Sequence, residues 1–234
     1  MFVAAKDAFV HQGFLEIADF FGPDMRWDWC NSHDQKGHQE ASRYATNDDF
    51  VRGTGVFIYQ NLGLMVQGIH RPYIAHLLNM CRDRNGGTGI DVGAGGGQLG
   101  IALHELGFSV SFADIQSLSL KYLSWRLHRR GLMLPIYNLD SGVPIPRHNL
   151  AVCFDVLEHL VEEEQIRLLA KLDEMAEIVM VNMIHAEIDA LHFGVDADRL
   201  TSHIKGSFHR ESFYPDENGN PRQTLVIYGE GLKE

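Results

Sequence analysis

Cysteine is scarce in this chain of 234 residues: Cys30, Cys81 and Cys153 are odd in number, far apart and in no metal-like spacing. A disulfide framework needs paired thiols and a structural zinc site needs closely spaced ones, so the three read as reduced, mostly packed side chains. Long apolar runs are also missing. None approaches the ~20 residues a helix needs to cross a bilayer. Met1 to Phe14 carries Lys6 and Asp7 and lacks the basic-then-apolar order of a secretory signal, so the expected location is cytoplasmic. Positive charge is in short supply, with 20 Lys and Arg against 31 Asp and Glu and a net charge of −11. A protein that grips a phosphate backbone draws most of its affinity from clustered cations. The densest basic stretch, Arg126, His128, Arg129 and Arg130, falls at an expected helix end, where it complements the helix dipole. Neither nucleic acid nor a membrane is expected as partner; a small molecule is. Oligomeric state leaves no signature.

A hydrophobic fraction of 45% and a charged fraction of 22% are ordinary for a globular chain and ample for a core. Two regimes divide it. Residues 1–85 hold helical spacings, as over Phe9 to Phe21 and Gly55 to Cys81, where Leu62, Met65 and Val66 recur three and four apart. Residues 86–234 alternate short apolar runs with amphipathic helices, as a βαβ sheet does. Strands are expected over Thr88–Val92, Phe108–Ile115, Leu132–Leu139, Leu150–Leu157 and Ile178–Ile184. Helices are expected over Gln98–Leu106, closed by Gly107, over Ser117–Arg130, ended by Gly131, and over Glu162–Met175. Phe208–Tyr214 and Gln223–Tyr228 flank a turn-rich Pro-Asp-Glu-Asn-Gly-Asn-Pro and read as an antiparallel hairpin. The expected fold is α/β: a doubly wound, mostly parallel sheet with a C-terminal antiparallel hairpin, carrying an N-terminal helical lid.

Chemistry concentrates after the first strand, in Asp91-Val-Gly93-Ala-Gly95-Gly96-Gly97-Gln-Leu-Gly100. Glycines between a buried strand and a helix let the backbone bend sharply and approach a ligand where a Cβ would collide. Gly95-x-Gly97-x-x-Gly100 also matches a dinucleotide fingerprint, so the neighbouring acids decide. Asp91, two residues before the loop, would repel a pyrophosphate but suits an ammonium, directly or through water. Asp114, 23 positions on and at the end of the second strand, is placed to accept from ribose hydroxyls. Asp140 and Ser141, after the third strand, are placed for an adenine edge.

These residues, with Cys-Phe-Asp155-Val-Leu-Glu158-His159-Leu, resemble class I S-adenosylmethionine (SAM)-dependent methyltransferases over roughly residues 86–230. The Asp-Val-Leu-Glu-His-Leu string is similar to the motif after strand four in quinone-biosynthesis and other small-molecule methyltransferases. The resemblance implies that Asp91, Gly93, Gly95 and Gly97 line the methionine end of SAM. It implies that Asp114 holds the ribose with Ile115 beside it, that Asp140 and Ser141 neighbour adenine, and that Asp155 borders the methyl group. It also implies an enzyme that moves a methyl group to a small-molecule acceptor.

Methyl transfer from a sulfonium asks mainly for alignment and dryness, and needs a base only when the acceptor arrives protonated. Candidate catalytic groups are His159, which can serve as base or pack beside the cofactor, then His185, then Tyr59. Trp27, Trp29, Tyr44, Phe57 and Tyr59 are candidate acceptor-pocket aromatics, although such spacing suits a core equally. His185, His192, His203, His209 and Glu187 lack the i, i+4 pairs of a helical metal motif, so no metal is expected. Two other functions fit the same residues. One is attack on the aminocarboxypropyl chain of SAM, cyclising or transferring it with release of methylthioadenosine. The other is a non-catalytic SAM-binding subunit.

Overall fold

A computed structural model describes residues 2–26, 29, 37, 39–67, 77, 87–185, 192–215 and 221–230. Two compact units form: one from Met1–Arg84, Gly95–Gln98 and Ile115–Leu134, the other from Asn85–Ala94, Leu99–Asp114 and Pro135–Glu234.

The second unit is built on a seven-stranded sheet. Its strands are β1 (Thr88–Val92), β2 (Ser109–Asp114), β3 (Ile136–Asn138), β4 (His148–Cys153), β5 (Ala176–Ile184), β6 (Phe208–Pro215) and β7 (Pro221–Tyr228). Their order is β3-β2-β1-β4-β5-β7-β6; the first five run parallel, and β7 and β6 close the sheet antiparallel. β1 pairs with β2 on one side and β4 on the other, so the chain reverses its winding there, where ligands of open α/β sheets bind. The core under the strands gathers Ile90, Val92, Ala151, Cys153, Val179, Val181 and Val226, with Leu169 and Leu172 from α6 (Glu162–Met175). Strands buried on both faces must be apolar almost continuously. That is how the sequence of β4 and β5 reads.

The mixed α/β sheet with its C-terminal antiparallel pair is the expected one, with local differences. Helix α4 (Gln98–Glu105) ends as anticipated on left-handed Gly107, whose N–H donates to His104 O while Phe108 N–H reaches back to Leu103 O. β3 is shorter than the Leu132–Leu139 expected from apolarity. Gly131 and Leu132 are drawn back onto the preceding helix by bonds to His128 O and Leu127 O, and Pro135 has no N–H to give a ladder. β4 ends at Cys153, four residues before the apolar run does. Asp155 adopts a left-handed φ of 57° and the chain turns through Leu157–His159, so Leu157 enters the core from a turn.

The first unit is helical: α1 (Phe2–Phe21), α2 (Asn47–Gly53), α3 (Val56–Gln67) and α5 (Leu118–Arg129). Thr46 caps α2 by accepting from Asp49 N, and Ser117 caps α5 by accepting from Leu120 N. Phe20 meets Tyr122 edge-on, Phe21 stacks on Tyr59, and Trp29 meets Tyr59 edge-on. The basic cluster on α5 differs from the reading as a dipole complement. Arg126 and Arg130 turn inward onto the buried carboxylate of Glu16 in α1, with Nε–O distances of 2.7 and 2.5 Å. Among the described residues no helix is long and apolar enough to cross a membrane.

Candidate active site

The carboxyl ends of β1, β2, β4 and β5 supply the polar groups that the sequence singles out. Asp91 closes β1 almost fully buried, and its Oδ2 accepts from Gly100 N at 2.8 Å. This carboxylate therefore caps the first turn of α4 from a distance, where the amide dipoles favour an anion. Gly100 permits it: a Cβ there would lie 2.2 Å from Phe112 Cε1 and 2.9 Å from Asp91 Oδ2. Between strand and helix, Gly93, Gly95 and Gly97 all take positive φ, at 70°, 52° and 74°. Gly93 and Ala94 donate to Ala113 O, and a Cβ on Gly93 would fall 2.3 Å from Val156 Cγ2. The turn thus demands glycine for both conformation and space. Asp114 ends β2 half-buried, with Ile115 following.

At the end of β4 two elements clamp one another. Asp155 N–H donates to Asn182 Oδ1 at 2.7 Å, and Asn182 Nδ2 donates to Asp155 Oδ1 at 2.6 Å. Asn182 is fully buried on β5 and holds Asp155 in its left-handed conformation, which costs a non-glycine residue about 1 kcal/mol or more. Glu158 follows in the turn, 2% exposed, with no hydrogen-bond partner for its Oε2 among the described residues. Burial, and then the charge of Asp155, push its carboxyl well above the usual range. His159 lies with Nε2 3.9 Å from Glu158 Oε1, and its ring stacks on His192 at 5.2 Å. Cys153, fully buried, has its thiol raised by burial and by surrounding carboxylates, so it is no nucleophile.

Other candidates are engaged elsewhere. His185 follows β5; its N–H donates to Arg222 O and its Nε2 lies 2.8 Å from Thr224 Oγ1 on β7. Burial, then Arg210, lower its pKa, so the ring is neutral near pH 7. Asp140 and Ser141 are exposed in the short turn after β3, where Asp140 N–H donates to Asn138 Oδ1 and Ser141 Oγ to Asn138 O. Tyr59 lies in the helical unit. It is 1% exposed, its hydroxyl accepts from Arg26 N at 3.0 Å, and it sits inside the aromatic packing of the helical unit. Trp29 is likewise buried and Phe57 packs edge-on against Phe50. Trp27 and Glu187 lie outside the described residues. Among those described, no group of three or more His, Cys, Asp or Glu gathers to hold a metal ion.

Two features escaped sequence reading. Asn182 stands in a run that reads only as a central strand, and a polar residue in such a run is the one available signal. The partnership of Arg126 with Glu16 joins residues 110 positions apart, and Arg126 Nη1 also donates to Gly96 O at 2.6 Å within the glycine loop.

No protein-family profile matches the chain, and no protein of curated function does. Solved structures do. Magnesium protoporphyrin IX methyltransferase from Synechocystis PCC 6803, determined with bound SAM and with its demethylated product, is 14% identical in the product complex. That match covers 97% of this chain and 99% of the other, with a TM-score of 0.55. The methyltransferase domain of a bacterial Hen1 is 15% identical over 67% of this chain and 97% of its own, at a TM-score of 0.52. TehB from Haemophilus influenzae is 14% identical over 65% of this chain, at a TM-score of 0.50; the chain spans 60% of its length. The chain has the class I methyltransferase fold.

Proposed function

We propose that this class I methyltransferase fold binds SAM and transfers its methyl group to a small-molecule acceptor. The observation that carries the reading is the run of positive φ at Gly93, Gly95 and Gly97 directly after β1, in a chain that also carries an acid at or just beyond the carboxyl ends of β1, β2 and β4. A bare backbone of this kind can approach a ligand closely, and the acids fit SAM better than a dinucleotide. A buried carboxylate at Asp91 disfavours a pyrophosphate and favours the ammonium of an amino-acid arm. Asp114 is the acceptor for ribose hydroxyls, with Ile115 against the nucleoside, and Asp140 and Ser141 stand for the adenine edge. Asp155, pinned by Asn182, is the residue this reading assigns to the border of the methyl group.

SAM supplies an already activated methyl group, so the chain's contribution is alignment and exclusion of water. Where the acceptor carries a proton, His159 is the group to remove it. Its Nε2 lies 3.9 Å from Oε1 of Glu158, and its ring stacks on His192. His185 is the second choice, since Thr224 already engages its Nε2. The acidic chain and its buried free thiol suit the cytoplasm and a small, non-nucleic-acid acceptor.

Calorimetric titration with SAM and with S-adenosylhomocysteine tests the reading, followed by mass spectrometry of the nucleoside released on turnover. Saturable binding and S-adenosylhomocysteine as product support methyl transfer. Methylthioadenosine would move the attack to the aminocarboxypropyl chain, and no binding of either ligand would overturn the proposal.

A further inference from the structure

The helical unit contains a buried ion cluster that the chemistry above does not use. Arg126 is 1% exposed, Arg130 9% and Glu16 2%, measured on their side chains. Glu16 Oε2 accepts from Arg126 Nε at 2.7 Å and from Arg130 Nη2 at 3.0 Å, while Oε1 accepts from Arg130 Nε. Burial works against the Glu16 carboxylate, but Arg130 and Arg126 prevail and hold its pKa below the usual range. Buried pairs of this sort seldom add net stability over well-packed apolar residues, because desolvating the charges offsets their attraction. Their presence asks for another reason.

The reason lies in the remaining arm of Arg126, whose Nη1 donates to the carbonyl of Gly96 at 2.6 Å. A trans peptide is planar, so the carbonyl of Gly96 and the N–H of Gly97 point in opposite directions. Holding the carbonyl inward against Arg126 turns the Gly97 N–H outward. The flanking glycines have positive φ and little intrinsic preference, so without an anchor this peptide plane is free to flip. Tyr122 completes the seat: a Cβ on Gly96 would lie 3.2 Å from its Cε1.

We propose that Arg126, oriented by Glu16, is a positioning residue that fixes the Gly96–Gly97 peptide so that the Gly97 N–H faces the carboxylate of the SAM methionine arm. The proposal rests on the SAM-binding reading above. Through it, Glu16 of helix α1 is linked to the glycine loop.

The test compares the full-length wild type with R126M, R126K and the double variant E16L/R126M. The double variant removes the Glu16 carboxylate together with Arg126, so that no buried carboxylate is left short of a donor; it also takes Glu16 from Arg130, so its folding is checked by circular dichroism. Wild-type binding of SAM, by calorimetry, is established first; its absence would sink the functional reading and this proposal with it, whereas the variants test this proposal alone. With wild-type binding in hand, the expected result is at least a tenfold weaker SAM affinity in E16L/R126M, measured well below its melting temperature in the absence of ligand. R126K, which keeps one donor for Gly96 O, recovers part of the affinity. The amide resonance of Gly97, followed by 15N NMR, shifts or broadens in R126M and E16L/R126M and returns toward its wild-type position in R126K. A folded double variant with wild-type SAM affinity and an unmoved Gly97 resonance overturns the proposal.

Discussion

Replacing Glu158 by Gln removes a buried titratable group and changes almost nothing in shape. Glu158 is 2% exposed, its Oε2 has no hydrogen-bond partner among the described residues, and burial together with Asp155 raises its native pKa well above 4.5. Between pH 4.5 and that raised value the native chain holds a proton that the unfolded chain has released. Stability is therefore fully present below about pH 4.5 and falls as pH rises through the window. One proton gives a slope of up to about 1.4 kcal/mol per pH unit, or about 3–5 °C in melting temperature for a chain of this size. Because Asp155 shares the cost, the slope belongs to the pair and is spread over a wider range than a single group would show. The Gln amide brings a stability offset of its own, but that offset does not depend on pH. Thermal melts of wild type and E158Q at half-unit steps from pH 4.5 to 8 isolate the effect as the difference between the two curves. The wild type should lose ground steadily to E158Q as pH rises. Parallel curves, or a wild type that gains on the variant with pH, would refute the upward shift of the buried carboxyl.

N182L deletes both bonds of the β4–β5 clamp and should cost about 2–4 kcal/mol in urea unfolding, with weaker SAM binding as the Asp155 turn loosens; a change under about 0.5 kcal/mol would count against the clamp. G93A imposes a left-handed alanine and a contact with Val156, so a loss of about 1–3 kcal/mol is expected. Adding V156A should restore the part due to contact and leave the part due to φ, which paired denaturation curves would separate. D114A, at the half-buried end of β2, should weaken SAM binding about 10–100-fold with an unchanged unfolding midpoint, and equal affinity by calorimetry would remove Asp114 from the site.

Most of the sheet could be read from the residues because its determinants are local. β1 and α6 occur at their expected bounds, Thr88–Val92 and Glu162–Met175, since apolar period, acidic first turn and glycine punctuation all lie within a few positions of each other. The glycine turn was legible for the same reason. A backbone that must take positive φ at three positions in five is written in glycine.

What the residues alone did not determine are the relations between distant segments. The end of β4 depends on Asn182, 27 positions away, which pulls Asp155 out of the strand; apolarity continues to Leu157 because a buried turn is as apolar as a strand. The basic cluster on α5 looked like a dipole complement until Glu16, on another helix, was found between Arg126 and Arg130. Tyr59 showed an aromatic ring with polar neighbours in sequence, and only packing against Phe21 and Trp29 made it core. Periodicity reports which face of an element is dry, whereas the partner of a buried charge, and the bend that partner enforces, is chosen by tertiary contact.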